Sequence, residues 1–578
     1  MMSRAKNLFN FLICIIIYEK KIIIKKIEYL IFLLKKINII IYLKFIFNRE
    51  KYNPINSRKF QEYIQKNKKK WKLLEIKNKI ILVENFVNHP SYTLGNAITA
   101  AYLNKIYNYR MLAVLREGDI KGEIIFRSFG IKNFTYIKKP NFFSRSKYLL
   151  KTINILKKKK TIKEFCKILY NEIEVGLSTY DTYIRYTKTP TLKKINCELI
   201  VLLADCLFYC DYFQSILSRN KNVEYSIQCE TVFNPLNSFF QICLKNNIQV
   251  FSRTGIETIS LRKYTDWKQR YEYLNDISQE IFENFYYNNK NKISKNFDNI
   301  YINQIKNNSF GVDSRITGLL NVNQKNLTKE EFKKKFKLDN KKIVVFFLSH
   351  LIDRNFHHGP KKNFQDNYSC INFILDLIPK LNNVNWVIKL HPTEYFYKPK
   401  FDFIEKIKLL EKNKNTILYP LEYKSSALLK IADIALTSHG TVGIEYPAFG
   451  IPSIFFENSF YSNMSFMKMQ KTKHQLLNSL KNIHKLNKLD NEYILKCKAF
   501  LIIQKKLIKN ECKLIPIHTI ARQINEDKFW SDCIIKLKNY KLKDDNFYNM
   551  LKEQLKWKLR HTVNFSAFKI DKRVFNDY

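Results

Sequence analysis

From about residue 78 onward, short uninterrupted apolar runs alternate with longer stretches of helical periodicity. Ile80-Ile81-Leu82-Val83 is the first run, Tyr92–Tyr107 the first helical stretch and Met111–Leu115 the second run. Phe134–Ile137 follows another helical stretch. The pattern resumes with Glu224–Ile227, a helix around Phe239–Lys245, and Ile248–Phe251. Apolar runs this short suit strands buried on both faces. Strands separated by helices predict β-α-β units and a parallel sheet.

A second series begins near residue 341. Ile343–Leu348, Trp386–Leu390, Ile417–Tyr419, Ile434–Leu436 and Ile454–Phe456 read as strands. Between them Ile371–Leu381, Phe403–Leu410, Ser426–Ile431 and a stretch after Thr441 read as helices. The expected fold class is α/β: two Rossmann-like domains facing a cleft, with helical N- and C-terminal extensions. The expected boundaries are 51–335 for the first domain, including a polar helical region at about 265–335, and 336–485 for the second. Residues 486–578 read as a helical region rich in Lys and aromatics.

The first 50 residues differ. Leu8–Tyr18 is apolar except for Asn10, too short to span a bilayer. Glu19-Lys20-Lys21 follows with no small-residue cleavage site. Lys doublets at 20/21, 25/26 and 35/36 then alternate with a helical stripe of Ile23, Ile27, Leu30, Leu34, Ile37 and Ile41. Such a helix lies in a membrane interface with its lysines near anionic headgroups, or it packs on the protein's own core. The expectation is a cytoplasmic protein peripheral to the inner face of the cytoplasmic membrane.

Charge changes the picture less than it first promises. The 578-residue chain carries 100 Lys and Arg against 51 Asp and Glu, a formal +49. That balance invites a nucleic-acid reading. Yet the cations are mostly Lys, and Lys travels with Ile, Asn, Tyr and Phe, residues that share A/T-rich codons. Arg, the bidentate reader of guanine, is scarce, and no zinc-finger spacing appears. No nucleic-acid partner is expected. A hydrophobic content of 46% excludes a disordered basic tail protein. The 11 cysteines are scattered without a C-x-x-C pair, which argues against a disulfide framework or zinc site and fits a reducing compartment.

Glycine is scarce, so its placement carries information. Three of the 12 glycines, Gly440, Gly443 and Gly450, fall in one window that begins Ser438-His439-Gly440-Thr441. A strand ends at Thr437 and a helix begins near Thr441, where open N–H groups and the helix dipole favour an anion. Ser438 and Thr441 add hydroxyls, and Glu445 stands one turn further on, in reach of a ribose diol. An ordinary capped strand–turn–helix would give the same turn. One β-α unit upstream, Trp386–Leu390 runs into His391-Pro392. Pro392 stops the strand, and period-2 alternation puts Lys389 and His391 on one side. A cation and an imidazole there suit a nucleotide phosphate and a developing leaving-group charge.

Lys389-x-His391-Pro392 with Ser438-His439-Gly440-Thr441-x-Gly443-x-Glu445 and Gly450-x-Pro452 resembles the capsule polysaccharide biosynthesis glycosyltransferases. The arrangement is also similar to CDP-glycerol glycerophosphotransferases, bacterial polysialyltransferases and, more distantly, non-hydrolysing UDP-GlcNAc 2-epimerases. Ser349-His350-x-x-Asp353 looks like the opening of the capsule-type donor domain, and Gly176–Arg185 like a segment of the acceptor half. The likeness covers roughly 78–480.

The resemblance implies a GT-B-type glycosyltransferase. It would move a sugar from a nucleotide-sugar donor to a capsule or other surface polysaccharide, or to its lipid-linked precursor. On that likeness Lys389, His391 and Pro392 meet the donor with Ser438, His439, Gly440 and Thr441, Glu445 binds ribose, and His350 and Asp353 face the cleft. Asp181 would be the general base, and Arg185, Tyr180 and His89 would belong to the acceptor side. An i,i+4 ion pair between Asp181 and Arg185, and His89-Pro90 as turn punctuation, are the plain alternatives. No Asp-x-Asp motif is present, so neither metal nor cofactor is expected. The rival functions are a CDP-polyol phosphotransferase and a non-catalytic basic glycan- or nucleic-acid-binding protein at the membrane.

Overall fold

The computed structural model describes residues 58–71, 77–87, 89–254, 260–272, 276–306, 325–392, 394–509, 512–516, 526–556, 560, 563 and 568–571. The amphipathic segment expected at 1–50 lies outside them. The chain forms two compact units. The first takes the described residues up to Tyr183 with Lys193–Phe251 and Lys513–Asp545; the second takes Ile184–Leu192, Ser252–Cys512 and the described residues from Asn546.

The first unit is built from β1 (Lys77–Asn85), α1 (Pro90–Tyr107), β2 (Tyr109–Arg116), α2 (Ile120–Ser128), β3 (Asn133–Ile137), α3 (Phe142–Leu156), α4 (Val175–Thr187), α5 (Cys197–Arg219), β4 (Val223–Gln228), α6 (Leu236–Lys245) and β5 (Gln249–Thr254). β1 pairs in parallel with β2 and β4, and β2 with β3. The strand order is β3-β2-β1-β4-β5, followed by β6 (Ser260–Tyr264). The chain passes from the first unit into the second within β5. Every residue from Ile80 to Asn85 is buried, which is why the sequence shows a run rather than an alternation. α5 is long and apolar enough to cross a membrane. Here it is a core helix, with Leu199, Leu203, Leu207 and Phe213 fully buried.

The second unit repeats the winding. β7 (Ile343–Phe347), α7 (Asn367–Leu377), β8 (Asn385–Lys389), α8 (Ile404–Leu410), β9 (Thr416–Leu418), β10 (Ile434–Thr437), α9 (Val442–Ala448) and β11 (Ser453–Phe455) give a five-stranded sheet of order β11-β10-β7-β8-β9. All its pairings are parallel. Counted from its own first strand this is the order of the first sheet, so both units are doubly wound and the expected α/β class of two Rossmann-like domains is met.

The unit boundaries differ from those read in the sequence. The chain changes unit at 251/252 rather than at 335, and residues 486–578 are shared between both units. Packing explains it. The polar-looking helices Gln279–Asn289 and Ile293–Lys306 bury Phe282, Phe285, Phe297 and Tyr301 in one core with Ile444, Phe455 and Phe500, the last from α10 (Asn491–Ile502). The helix Glu526–Lys538 instead stacks Trp530 on Phe60 and Tyr63 in the first unit, with ring centres 4.8 and 5.1 Å apart.

Candidate functional site

In a doubly wound sheet a crevice opens beyond the carboxyl ends of the strands where the winding reverses, here between β7 and β10. A cavity of about 450 Å³ lies at these strand ends in the second unit. The loop after β7 lines it with His350, Asp353, Arg354, His357 and His358. The end of β8 and the segment after it contribute Lys389, His391, Pro392 and Tyr397, and the turn after β10 and the start of α9 contribute His439, Gly440, Thr441 and Glu445. Five of the chain's 10 histidines therefore meet in one cavity.

The turn after β10 is tied from behind. The Ser438 hydroxyl shares a hydrogen bond with that of Ser349, joining the ends of β10 and β7, and lies 2.9 Å from His439 Nδ1. Ser438 is 1% exposed, so it frames the turn instead of facing the cavity as expected. Ser459 Oγ donates to the His439 carbonyl at 2.9 Å, and Tyr461 donates to the Gly440 carbonyl at 2.7 Å. The N–H of Gly440 bonds Thr437 Oγ1, that of Gly443 the Gly440 carbonyl, and those of Ile444 and Glu445 the Thr441 carbonyl. The expected fan of open N–H groups at this helix start is thus narrower, because the tight turn uses those of Gly440, Gly443 and Ile444 itself. Gly440 also answers to the turn: a Cβ there would sit 2.7 Å from Thr437 Oγ1.

Glu445 lies on the cavity side of α9. Its Oε2 accepts from the Thr441 hydroxyl at 3.0 Å. Burial holds its carboxyl above the usual range, against the opposing effects of that bond and of Lys505.

Lys389 ends β8, 6% exposed, with Nζ 5.5 Å from the centre of the Tyr419 ring. His391 follows in the wall, where burial and then the Lys389 charge push its imidazole down to about 4. His350 is 8% exposed. The Ile352 N–H donates to its Nδ1 at 3.0 Å, which leaves the ring proton on Nε2. That Nε2 is buried without a hydrogen-bond partner. Burial, then the charges of His391 and Arg185, push His350 down to about 2, so the ring is neutral with its proton on Nε2.

Arg185 has a partner that its local spacing does not show. The chain enters the second unit within α4, and Arg185 Nη1 lies 3.5 Å from Asp353 Oδ1 with its guanidinium 4.0 Å over the Tyr397 ring. Asp181, one helical turn before Arg185, is only 3% exposed. Asp181 and fully buried Tyr180 belong to the first unit. His89 also belongs there, as the N-cap residue of α1 ahead of Pro90, its ring edge-on to Tyr92 at 5.5 Å.

Sequence reasoning missed Arg354, His357, His358, Tyr397 and Glu394. The adjacent histidines at 357/358 were the available signal. Glu394 Oε1 accepts from the Leu351 N–H at 2.7 Å and lies 3.5 Å from His350 Nδ1. Its Oε2 is buried without a partner, and burial lifts the carboxyl to about 7. Glu394 and His391 line a second pocket of about 240 Å³. Among the described residues no three His, Cys, Asp or Glu side chains are grouped to hold a metal ion.

Neither a protein-family model nor a curated protein sequence matches the chain. Among solved structures the chain is similar to Thermosulfurimonas dismutans KpsC, beta Kdo 2,4 transferase, at 9% identity and TM-score 0.28, over 51% of this chain and 83% of that one. It is similar to UDP-GlcNAc 2-epimerase from Neisseria meningitidis bound to UDP-GlcNAc at 15% identity and TM-score 0.23, over 74% and 98% of the two chains. The wall teichoic acid polymerase TagF aligns at 14% identity and TM-score 0.19, over 79% and 90%. The chain itself is an α/β protein of two Rossmann-like units, the second of which carries a cation- and imidazole-lined cavity at its switch point.

Proposed function

We propose that this protein is a glycosyltransferase of GT-B type that moves a sugar from a nucleotide-sugar donor to a capsule or other surface polysaccharide, or to its lipid-linked precursor. One observation carries the reading: Lys389, His391, Thr441 and Glu445 share a cavity with His350 and Asp353 at the second unit's switch point. Lys389 meets the charge that grows on the departing nucleotide phosphate, and the neutral Nε2–H of His350 donates to the same oxygens. Glu445 accepts hydrogen bonds from the ribose diol. The bond from the anomeric carbon to the phosphate oxygen breaks as the acceptor oxygen bonds that carbon.

The acceptor's proton goes to Asp353. Asp353 is preferred to Asp181, the base first expected, because Asp353 lines the cavity with Arg185 beside it. The acceptor is membrane-linked in this reading, and the segment at 1–50 holds the enzyme to the cytoplasmic face.

A thermal-shift panel of CMP-, CDP-, UDP- and GDP-sugars tests donor binding, because a ligand that binds only the folded state raises its stability. Transfer is then followed with donor labelled in the sugar and in the phosphorus. Label from the sugar alone in the product supports the proposal, and phosphorus in the product replaces it with the polyol-phosphate transferase. Asp353→Asn lowers kcat by about 10²-fold or more with donor stabilisation retained. Full activity in that variant removes Asp353 from the base role.

A further inference from the structure

The first unit carries a surface that the transfer reading does not use. α3 sets one face on α5: Leu149 is fully buried against Val201 and Ala204, and Arg145 Nε lies 3.0 Å from Asp205 Oδ1. Large apolar side chains are exposed on the opposite face, at Phe143 and Leu150, and at the first residue of the helix, Phe142. Phe142 is 55% exposed, Phe143 81% and Leu150 57%. At about 100° per residue, Phe143, Lys147 and Leu150 fall along one outward line of the helix.

Exposed lysines precede, punctuate and follow this helix. Lys138 and Lys139 stand exposed just before α3, Lys147 and Lys151 on it, and Lys157 and Lys158 just after it. From Lys138 to Lys163 the chain has no acidic residue. Two of the three acidic groups of α5 are engaged on this side: Asp205 with Arg145, and Asp211 with the hydroxyls of Tyr148 and Tyr170 and, at 3.8 Å, with Lys151.

Single exposed apolar side chains are ordinary, but a helix that lines Phe143 and Leu150 on one face, with Phe142 exposed at its start, among lysines has the chemistry of a membrane interface. The rings reach the boundary of headgroup and acyl chain while the ammonium groups sit at lipid phosphates. The chain's own amphipathic segment is a poor occupant for this face. It carries Lys20, Lys21, Lys25, Lys26, Lys35 and Lys36, so it would set like charge against like. We propose that α3 docks on an anionic lipid bilayer and inserts Phe142, Phe143 and Leu150 among the headgroups. This contact lies in described residues, is separate from the segment at 1–50, and stands whether or not the cavity transfers a sugar.

The test uses the full chain. Vesicles of phosphatidylcholine, alone or mixed with phosphatidylglycerol and carrying brominated acyl chains, are added to wild type and to Phe143→Trp. The expected result is extra quenched emission in the variant over wild type on the anionic vesicles only. This local readout is insensitive to any second membrane contact. Phe142→Ser combined with Phe143→Ser, with unchanged circular dichroism and melting, is expected to lower partitioning about tenfold. The proposal is overturned if Phe143→Trp gains no quenching, if neutral vesicles quench it equally, or if its emission shifts with protein concentration without lipid, which assigns the face to a second copy.

Discussion

Tyr461 crosses Gly443 to set its hydroxyl 2.7 Å from the carbonyl oxygen of Gly440, and a Cβ on residue 443 would stand 2.1 Å from that hydroxyl oxygen. The turn that follows β10 therefore keeps its shape through a side chain that only glycine lets pass. The glycine spacing visible in the sequence reflects this crossing as much as any ligand.

Gly443→Ala forces Tyr461 aside and is expected to destabilise the fold by about 1–3 kcal/mol. Tyr461→Phe leaves the Gly440 carbonyl without this donor, at a cost of about 1–3 kcal/mol. Because both act on one contact, the double variant should lose less than the sum of the two. Denaturant titration of the four proteins decides it, and strict additivity would separate Gly443 from Tyr461.

Lys389→Met keeps the volume of a nearly enclosed side chain and removes its charge. The expected outcome is a fall in transfer rate of about 10²–10³-fold with melting of the unliganded protein little changed. The measurement is steady-state turnover beside a melting curve. Unchanged turnover would mean that the leaving phosphate is met elsewhere.

The cavity's imidazoles make the fold sensitive to acid. His350, His357 and His391 are pushed down to about 2, 3 and 4, and His358 and His439 well below the ordinary value, in every case first by burial. A histidine whose folded pKa is depressed leaves the unfolded chain binding more protons, so stability falls as pH drops below about 6.5. His391→Gln is expected to lessen that slope by about 1.4 kcal/mol per pH unit between about pH 6 and pH 4.5. Unfolding titrations at both ends of that window measure it, and an unchanged slope means that His391 charges freely in the folded protein.

Glu394 works in the opposite sense. Its carboxyl is raised from 4.5 to about 7, so the folded protein binds the extra proton and stability is lost as pH rises through that interval. Glu394→Gln keeps an oxygen for the Leu351 N–H and removes the titration. The variant should gain up to about 3 kcal/mol on wild type at pH 8, relative to the difference between them at pH 4. A constant difference across that range would place Glu394 in contact with solvent.

The winding was legible because strands buried on both faces leave unbroken apolar runs, and Ile80–Val83 and Trp386–Lys389 both fall within strands. Lys389, His391 and the turn at 438–445 were legible because short-range rules place them at strand ends. What escaped depends on contacts distant in sequence. Arg185 meets Asp353, 168 positions further on, after the chain has changed unit. His357 and His358 sit in a loop with no period to mark them. The helices of 279–306 look polar because their apolar face is narrow, and only their packing against α10 reveals which unit they complete.

The five cavity imidazoles are held uncharged at neutral pH by their partial or full burial, and this gives ligand entry an electrochemical signature. A phosphate dianion among them restores the proton affinity that burial took away, so binding should draw protons from the medium. Affinity then strengthens on mild acidification, even as the empty protein grows less stable. The heat of binding measured in buffers of different ionisation enthalpy would count the protons taken up.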